Sequence, residues 1–343
     1  MIDVEAHYLD RPFLELLRGR SEPPREEVDG DEVRIYPEPS APDVFQGRNA
    51  RLEGALLDVG EARLAVMDAD GVDVQLLSLN LPGCEQLEPA AGAAAARERN
   101  DLLAGLVAAH PSRFAALAAL CPDPESPETA ADELERCVRD LGFRGCKLNS
   151  HVRAGYLDDE RFLPIFERAA SLGAPIFLHP TVPHGSMVGP YRGYGHMLPG
   201  PALGFAAETA LQVVRLVLSG LFDRLPQLQI VLGHLGEGLP FWLYRLDYEF
   251  TKPWIARDPR CRCEHPPSHY IRANTWAATS GHLQASAFAA THAELGAGRM
   301  LFASDYPYES AGETAAFVRA QLADDAEREQ VLHGNAAALF GIA

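Results

Sequence analysis

Short apolar runs rich in Val, Ile, Leu and Phe recur along the chain, and each ends at a polar or Gly/Pro break that a helical pattern follows. Nearly continuous hydrophobicity of this kind is typical of parallel strands that are buried on both faces. Stretches with apolar residues at helical spacing, such as RERNDLLAGLVAAH, separate the runs. The runs that predict strands are residues 2–7, 72–80, 114–122, 143–151, 174–180, 228–236, 270–277 and 299–307.

The order of these elements predicts an α/β fold, a (β/α)₈ TIM barrel with C-terminal helices. Eight strand–helix repeats in 343 residues match the usual size of such a barrel. An open doubly wound sheet is the structural alternative, but no G-x-G-x-x-G motif follows the first strand. Residues 18–55 are rich in Pro, Glu and Asp, and we interpret them as an insertion after strand 1 that caps the barrel mouth. Residues 1–343 are then expected to form a single domain.

The charge balance argues against one class of function. The chain has 30 Lys and Arg against 48 Asp and Glu, a net charge of −18. A protein that binds the nucleic-acid backbone needs a basic face, so no nucleic-acid partner is expected. No apolar run approaches the ~18 residues of a membrane-spanning helix, and no basic segment follows Met1. We therefore expect a cytoplasmic protein with no membrane partner.

The six cysteines are scattered and do not predict a disulfide framework. Cys261, Cys263, His265 and His269 lie close enough in sequence to raise the alternative of a structural zinc site. Their C-x-C spacing and the two prolines between the histidines favour a polar surface loop instead.

Carboxylates and imidazoles stand at the C-terminal ends of several predicted strands, where the side chains of a TIM barrel converge on one pocket. Glu5 and His7 belong to strand 1, His179 to the end of strand 5, and Asp305 to the end of strand 8. Glu5 and His7 are two residues apart, so they are expected to share the side of the strand that faces the barrel axis. Two imidazoles and two carboxylates form a ligand set for one divalent cation.

A further histidine, His234, ends strand 6 in the segment GHLGE. Glu237 follows three residues later and is expected to bond the second ring nitrogen, which would fix the tautomer of His234. A histidine held in this way is a general acid or base as readily as a metal ligand. A glycine-rich turn without a catalytic role is the structural alternative.

Longer segments carry a resemblance to a known family. The segments IDVEAHY, KLNSHVRAGYLDDERFLPIFERA, PIFLHPTVP, GHLGEGLPFWLYRLDY and FASDYPYE resemble the amidohydrolase-related decarboxylases of the amidohydrolase superfamily, in particular the γ-resorcylate and 5-carboxyvanillate decarboxylases. The resemblance runs from Ile2 to the closing GNAAALFGI. It implies a barrel with one Mn²⁺ or Zn²⁺ ion that removes CO₂ from an ortho-hydroxybenzoate, a small aromatic acid, without an organic cofactor or O₂.

The same resemblance implies roles for individual residues. His234 would be the catalytic histidine beside the metal. Arg48 resembles a carboxylate-binding arginine of the carboxyvanillate enzymes, which Tyr308 also matches. Arg245, in YRLDY, resembles an arginine that reaches the substrate of a neighbouring subunit, so a homodimer or homotetramer is expected. The implied metal ligands are Glu5, His7, His179 and Asp305.

The chain combines features of two branches of these enzymes. His7 keeps the E-x-H form of the resorcylate enzymes, whereas NSHVRAGYLDD is similar to the carboxyvanillate enzymes, and the identity of the aromatic acid stays open. Hydrolytic relatives usually carry H-x-H at strand 1, and a carbamylated strand-4 lysine can bridge two metals there. Lys147 lies on strand 4, but Glu5 stands where the first histidine would be, which favours a single metal ion.

The chemistry of decarboxylation assigns expected roles to the site residues. Loss of CO₂ from an arene leaves an aryl anion unless the ring carbon is protonated first. Asp305 is the expected acid, since crowding by like charges raises the pKa of a carboxyl. His234, oriented by Glu237, is expected to take or stabilise the phenolic proton. Arg48 and Arg245 would neutralise the charge of the substrate.

Two other functions fit parts of this pattern. Metal-activated water in the same site would make the chain a hydrolase or hydratase acting on a lactone, an amide or a C–C bond. A barrel that binds metal and ligand as a sensor or scaffold also fits the ligand set, but it does not explain His234 with Glu237. The E-x-H form at strand 1 and the arginine of YRLDY favour the decarboxylase.

Overall fold

The computed structural model describes residues 1–153, 155–254 and 259–342. Most of its strands are short and buried, as expected for a barrel core. The strands are β1 (Ile2–Tyr8), β2 (Arg25–Asp29), β3 (Glu32–Tyr36), β4 (Gln46–Asn49), β5 (Val74–Leu79), β6 (Phe114–Ala116), β7 (Ala118–Ala119), β8 (Cys146–Asn149), β9 (Ile176–His179), β10 (Ile230–Leu232), β11 (Thr275–Ala278) and β12 (Met300–Leu301).

Helices follow the barrel strands in chain order and cover the outside of the sheet. Several of them, such as the helix after β9, are apolar on the face toward the strands and polar outside. The helices are α1 (Arg11–Arg18), α2 (Ala50–Leu57), α3 (Glu61–Asp70), α4 (Pro89–Ala109), α5 (Pro127–Arg139), α6 (Leu163–Leu172), α7 (Gly204–Leu218), α8 (Leu221–Arg224), the single turn α9 (His234–Glu237), α10 (Leu239–Phe250), α11 (Pro267–Asn274), α12 (Ala285–Leu295), α13 (Ala311–Gln321), α14 (Asp325–Glu329) and α15 (Asn335–Phe340).

The barrel strands form two parallel sheets, β1–β5–β6 and β7–β8–β9–β10–β11–β12. Leu117 separates β6 from β7, and its N–H donates to the carbonyl of Leu77 at 2.9 Å, so the two pieces continue one strand. No regular ladder joins β12 to β1 in the described residues. Instead, the N–H of His7 donates to the carbonyl of Tyr306 at 2.8 Å. The predicted α/β barrel architecture is confirmed, with an irregular seam between its first and last strands.

Several observed strands are shorter than predicted, among them β8 and β12, and local contacts explain the two differences described here. Residues 270–274 belong to α11, because Asn274 ends that helix and its side-chain amide donates to two carbonyls that precede β10. The strand therefore begins only at Thr275. The strand predicted over 228–236 ends at Leu232, because residues 234–237 form a turn around His234.

The first strand contains an irregularity that orients the candidate ligands. Val4 packs in the apolar cluster that both sheets share in the barrel interior, whereas Ala6 packs in the outer layer against the helices. The pairing of β1 with β5 is irregular between Asp3 and Ala6. Strict alternation from Val4 would turn Glu5 outward. The irregularity lets Glu5 and His7 face inward above the apolar interior.

The segment predicted as an insertion contains its own small sheet. Strands β2, β3 and β4 form an antiparallel meander, and α2 follows directly. The segment between β3 and β4 contacts the loop after β9, where the N–H of Gly185 donates to Ser40 Oγ at 2.8 Å. That residues 18–55 act as a cap on a single domain stays a prediction. Among the described residues, no helix is both long and apolar enough to cross a bilayer.

Candidate metal centre and active site

Four side chains from three barrel strands meet at the C-terminal end of the barrel. Glu5 and His7 lie on β1, His179 is the last residue of β9, and Asp305 follows β12. One ligand atom from each of the four lies within 4.8 Å of all the others. Donors ~2.1 Å from a metal ion lie ~3–4 Å apart. The structure therefore brings the four sequence-predicted ligands together at the scale of a coordination shell.

Hydrogen bonds to the outer ring nitrogens orient both imidazoles toward this centre. His179 Nδ1 donates to the carbonyl of Pro180 at 2.8 Å, and His7 Nδ1 lies 3.1 Å from Ser78 Oγ. The inner Nε2 atoms then face the carboxylates, 3.7 Å from Glu5 Oε1 for His179 and 2.9 Å from Asp305 Oδ1 for His7. Burial lowers the pKa of both rings, which favours the neutral form that binds metal.

The carboxylate of Glu5 has one oxygen that lacks a partner. Its Oε2 accepts a hydrogen bond from Ser280, whereas Oε1 is buried with no hydrogen-bond partner in the described residues. Burial raises the pKa of Glu5 to about 8. A Cβ at Gly233 would lie 2.9 Å from Glu5 Oε2, so only glycine leaves room for this carboxylate. A buried carboxylate oxygen without a donor fits a bound cation.

His234, Glu237 and Asp305 form a chain of contacts beside the ligand cluster. His234 Nδ1 lies 2.8 Å from Glu237 Oε1, as the sequence predicts, and His234 Nε2 lies 3.8 Å from Asp305 Oδ2. Burial alone would lower the pKa of His234, but the charge and hydrogen bond of Glu237, together with Asp305, hold this pKa well above its ordinary value. Glu237 and Asp305 therefore favour the protonated form of His234.

The backbone around these residues adopts an unusual conformation. His234, Leu235 and Glu237 have φ of 53°, 57° and 55°, so the turn α9 is left-handed, and Asp305 has φ of 67°. Left-handed backbone is unfavourable for residues with a side chain and persists where the surroundings impose it, often at functional sites.

The pKa of Asp305 differs from the expectation. Burial raises it, but hydrogen bonds and charge from His234 and His7 outweigh burial and hold it below its ordinary value. Two imidazoles contact Asp305 directly, so in the described residues their effect on its pKa outweighs crowding by like charges. That Asp305 acts as the acid stays a prediction. The raised pKa of His234 and the lowered pKa of Asp305 both favour the proton on the imidazole of this pair.

A glycine beside His234 offers a test of how closely this ring must be placed. A Cβ at Gly281 (φ 66°) would lie 2.7 Å from His234 Cδ2. Gly281→Ala should therefore displace the imidazole and lower kcat about tenfold or more, the scale of a small misplacement in an active site. Gly142 has a similar φ of 73° with no atom within 4 Å of an added Cβ. Gly142→Ala carries the same backbone strain and should keep kcat, and equal kcat in both variants would contradict the assignment.

The two other candidate substrate residues, Tyr308 and Arg48, differ in their exposure. Tyr308 is partly exposed, its hydroxyl donates to Asn80 Oδ1 at 3.1 Å, and its ring centroid lies 6.1 Å from that of His7. Arg48 is buried on β4, and its Nη2 donates to both oxygens of Glu26 at 2.9 and 3.0 Å. Its Nε and Nη1 are buried without a partner in the described residues, so this guanidinium retains free donors.

In the described residues, the side chain of Arg245 makes contacts within its own helix. Its side chain is 72% exposed on α10 and pairs with Glu249 at 2.8 Å. That Arg245 serves a neighbouring subunit stays a prediction.

Two alternative metal sites receive no support from the geometry. Lys147 is buried and its Nζ donates to Asn149 Oδ1 at 3.2 Å, so its amine is used in a hydrogen bond within β8. The set Cys261, Cys263, His265 and His269 does not form a ligand group of metal size in the described residues.

Several supporting residues were not predicted. Ser78, Ser280 and Gly281 orient or accommodate the ligands and His234. Their position just at the C-terminal end of a barrel strand is the signal that would find them. Glu26 and Glu53, which contact Arg48, have no such signal because they belong to the insertion.

Comparisons with known proteins give one family for this chain. The amidohydrolase family model matches residues 2–342. The γ-resorcylate decarboxylase of Polaromonas sp. (strain JS666) is 36% identical over 296 residues, 84% of this chain and 89% of that protein. The crystal structure of 5-carboxyvanillate decarboxylase from Sphingomonas paucimobilis matches with a TM-score of 0.87 and 36% identity, covering 100% of this chain and 99% of the other.

A third similar protein has been seen with ligands. The crystal structure of dihydroxybenzoic acid decarboxylase from Polaromonas sp. JS666, with bound manganese and the inhibitor 2-nitroresorcinol, matches with a TM-score of 0.84 and 33% identity over 99% of this chain and 96% of the other. The family model covers nearly the whole chain, and the barrel agrees with it. This chain therefore belongs to the amidohydrolase family.

Proposed function

We propose that this protein catalyses the metal-dependent, O₂-independent decarboxylation of an ortho-hydroxybenzoate to the phenol and CO₂. The observation that carries the proposal is the meeting of Glu5, His7, His179 and Asp305 beside His234 at the end of the barrel. Relatives named as decarboxylases of γ-resorcylate and 5-carboxyvanillate, at 36% identity each, support the reaction class.

One divalent ion, Mn²⁺ or Zn²⁺, would be held by Glu5, His7, His179 and Asp305, with no organic cofactor. Two imidazole nitrogens and two carboxylate oxygens suit either ion, and the unpartnered oxygen of Glu5 fits a cation there. When bound, the ion would supply chelation of the substrate's oxygens and withdrawal of charge from its ring.

His234 and Asp305 would deliver the proton that the ring carbon needs. The imidazolium of His234 gives its Nε2 proton to Asp305 Oδ2, and Asp305 passes it to the carbon that carries the carboxylate. The bond between this carbon and the carboxylate then breaks, and its electron pair restores the aromatic ring. The reaction takes up one proton per CO₂ released, and solvent returns this proton to His234. Glu237 holds the histidine in its charged form.

Arginines would bind the anionic substrate in this acidic protein. Arg48 retains free donors on Nε and Nη1. The Tyr308 ring centroid lies 6.1 Å from that of His7, and the charge of Arg48 counteracts the effect of burial on the pKa of Tyr308. A guanidinium with free donors binds carboxylates well.

The active form would be a homodimer or homotetramer in which Arg245 serves a neighbouring site. Helix α10 exposes an unusual number of aromatic side chains around Arg245, namely Phe241, Trp242, Tyr244 and Tyr248, with Phe241 81% and Tyr244 78% exposed. Large exposed apolar patches mark interaction sites. In a two-fold dimer each chain would give its Arg245 to its partner.

Subunit mixing tests this arrangement. Neither Arg245→Ala nor His234→Ala homodimers should turn over substrate at more than a small fraction of the normal rate. In a mixed dimer, the chain that lacks Arg245 keeps its own His234 and receives an intact arginine. Random mixing should therefore restore about a quarter of the wild-type sites. Absence of recovery in verified mixed dimers would contradict a role for Arg245 across the interface.

The proposed function is tested by metal analysis followed by a substrate screen. The purified protein should contain about one divalent ion per chain. Ultraviolet spectra of a panel of hydroxybenzoates, with CO₂ measured, should show loss of at least one acid. If the protein turned over a lactone or an amide and left every hydroxybenzoate unchanged, the proposed decarboxylase function would be wrong and a hydrolase function would take its place.

A further inference from the structure

A buried carboxylate lies on the first strand, behind the candidate metal ligands. Asp3 belongs to β1, two residues before Glu5, and it is completely buried. Ile2 and Val4 pack in the barrel interior, so alternation along the strand turns Asp3 toward the helices outside. Asp3 therefore lies on the opposite face of the sheet from the ligand cluster, and it is not part of that cluster.

The four hydrogen bonds of Asp3 hold the two segments that carry the carboxylate ligands. Its Oδ1 accepts the backbone N–H of Glu5 at 3.3 Å and the backbone N–H of Ser304, the residue before Asp305, at 2.9 Å. Its Oδ2 accepts the hydroxyl of Ser304 at 2.6 Å and the side-chain amide of Gln75 at 3.3 Å. A single oxygen atom, Oδ1, therefore joins Glu5 to the neighbour of Asp305.

These bonds lie where the regular pairing of strands is interrupted. The ladder between β1 and β5 is irregular between Asp3 and Ala6, and no regular ladder joins β12 to β1 in the part of the chain that the structure describes. Buried backbone N–H groups need an acceptor, and Asp3 supplies one on each side of the seam. The carboxylate thus stabilises the irregular backbone that turns Glu5 inward.

The position of Asp305 depends on the same contacts. Ser304 Oγ, which donates to Asp3, accepts the N–H of Tyr306 at 3.2 Å. Asp305 lies between these two residues with φ of 67°, and its own N–H donates to the carbonyl of Glu5 at 3.0 Å. A residue with a side chain keeps a left-handed backbone only where its surroundings impose it. The bonds between Asp3 and Ser304 are part of those surroundings.

We infer that Asp3 is a positioning residue for the metal centre, which sets the spacing of the Glu5 and Asp305 carboxylates by holding the backbone on both sides of the seam. The inference rests on the metal centre of the proposed function but not on its reaction. Asp3 acts through backbone N–H groups, so the position requires an acceptor oxygen rather than a negative charge.

Two substitutions of Asp3 separate the acceptor from the charge. Asp3→Ala removes both oxygens and should weaken the binding of Mn²⁺ about tenfold or more, the scale on which residues behind the ligands affect metal affinity. Asp3→Asn keeps Oδ1 as acceptor for both N–H groups. Its new amide can donate to Gln75 Oε1, which is buried without a partner in the described residues, once the Gln75 amide turns over. Asp3→Asn should therefore bind Mn²⁺ nearly as tightly as the wild type, as measured by calorimetric titration of the metal-free proteins.

Asn100→Ala is the matched control for damage to the fold. Asn100 is completely buried on α4, and its Oδ1 accepts the N–H of Ala119 at 2.8 Å on β7, a strand that carries none of the four ligands. Asn100→Ala and Asp3→Ala each remove a buried side chain that holds a barrel strand, so both should lower the Tm of the metal-free protein. Of these two, only Asp3→Ala should weaken Mn²⁺ binding and change the visible absorption of the Co²⁺-loaded protein, which reports coordination geometry.

The outcomes separate this inference from the proposed function. Mn²⁺ affinity in Asp3→Ala equal to that of the wild type, or equal weakening in Asp3→Ala and either Asp3→Asn or Asn100→Ala, would overturn the role of Asp3 and leave decarboxylation intact. Ser304→Ala removes only one hydroxyl donor to Asp3, and it should weaken Mn²⁺ binding in the same direction; unchanged affinity there would overturn the inference if Asp3→Ala did not fold. Weakened binding in Asp3→Ala, in a protein that decarboxylates no hydroxybenzoate, would support the inference and overturn the proposed reaction. A wild-type protein that binds no divalent ion would overturn both.

Discussion

Replacing Asp305 or His234 by Asn should lower kcat by ~10²-fold or more, the usual scale for acid–base groups. Asp305→Asn keeps an oxygen that can face the ligand cluster but cannot pass a proton. His234→Asn removes the ring that Glu237 holds as an imidazolium. Both groups act after the substrate is bound, so KM should change much less than kcat.

Steady-state kinetics on metal-loaded protein measure this effect, with metal content determined for each variant. Asp43→Asn is a matched control, because Asp43 pairs with Arg192 on the surface at 2.7 Å. This control should retain wild-type kcat. If the His234 or Asp305 variant bound its ion and kept more than a tenth of wild-type kcat, the proposed proton path would be wrong.

The second large effect concerns the metal. His179→Ala removes one of the four candidate metal ligands from a buried centre. It also removes the imidazole nitrogen that lies 3.7 Å from Glu5 Oε1. Loss of an outer hydrogen bond to a metal ligand already costs 10–100-fold in metal affinity. Loss of the ligand itself should cost more, so the variant should purify with little metal and no measurable turnover.

Elemental analysis by mass spectrometry measures the metal content directly. His292→Ala provides the control, because His292 lies on α12 and contacts Glu327 at 3.3 Å, away from the cluster. The control should keep its metal and its activity. Full metal occupancy in His179→Ala would show that the ion binds elsewhere.

Hydrophobic patterning was sufficient to predict the barrel and to select the four candidate ligands that the structure brings together. Each candidate ligand was found because a polar residue at the end of an apolar strand has few reasons to be there except chemistry. His179 at the end of β9 and Asp305 after β12 are examples, since their strands are otherwise apolar. The pairing of His234 with Glu237 was likewise predictable, because the two residues are neighbours in sequence.

Features that depend on contacts between distant segments were not predictable. The irregular pairing of β1 with β5 decides which way Glu5 faces, and it arises from the seam of the barrel rather than from the local pattern. The lowered pKa of Asp305 depends on two imidazoles from other strands. The partners of Arg48 come from β2 and α2 of the insertion, whose sequence lacks the periodicity of the barrel.

The most direct test of decarboxylation is isotopic. The enzyme is incubated in D₂O with a hydroxybenzoate that it consumes, and the product is examined by proton NMR and mass spectrometry. The proposed mechanism predicts a phenol with one deuterium at the carbon that carried the carboxylate, formed in equal amount with CO₂, because the proton path starts from exchangeable groups on His234 and Asp305. A product that retains its carboxylate, or that forms without CO₂, would contradict the account.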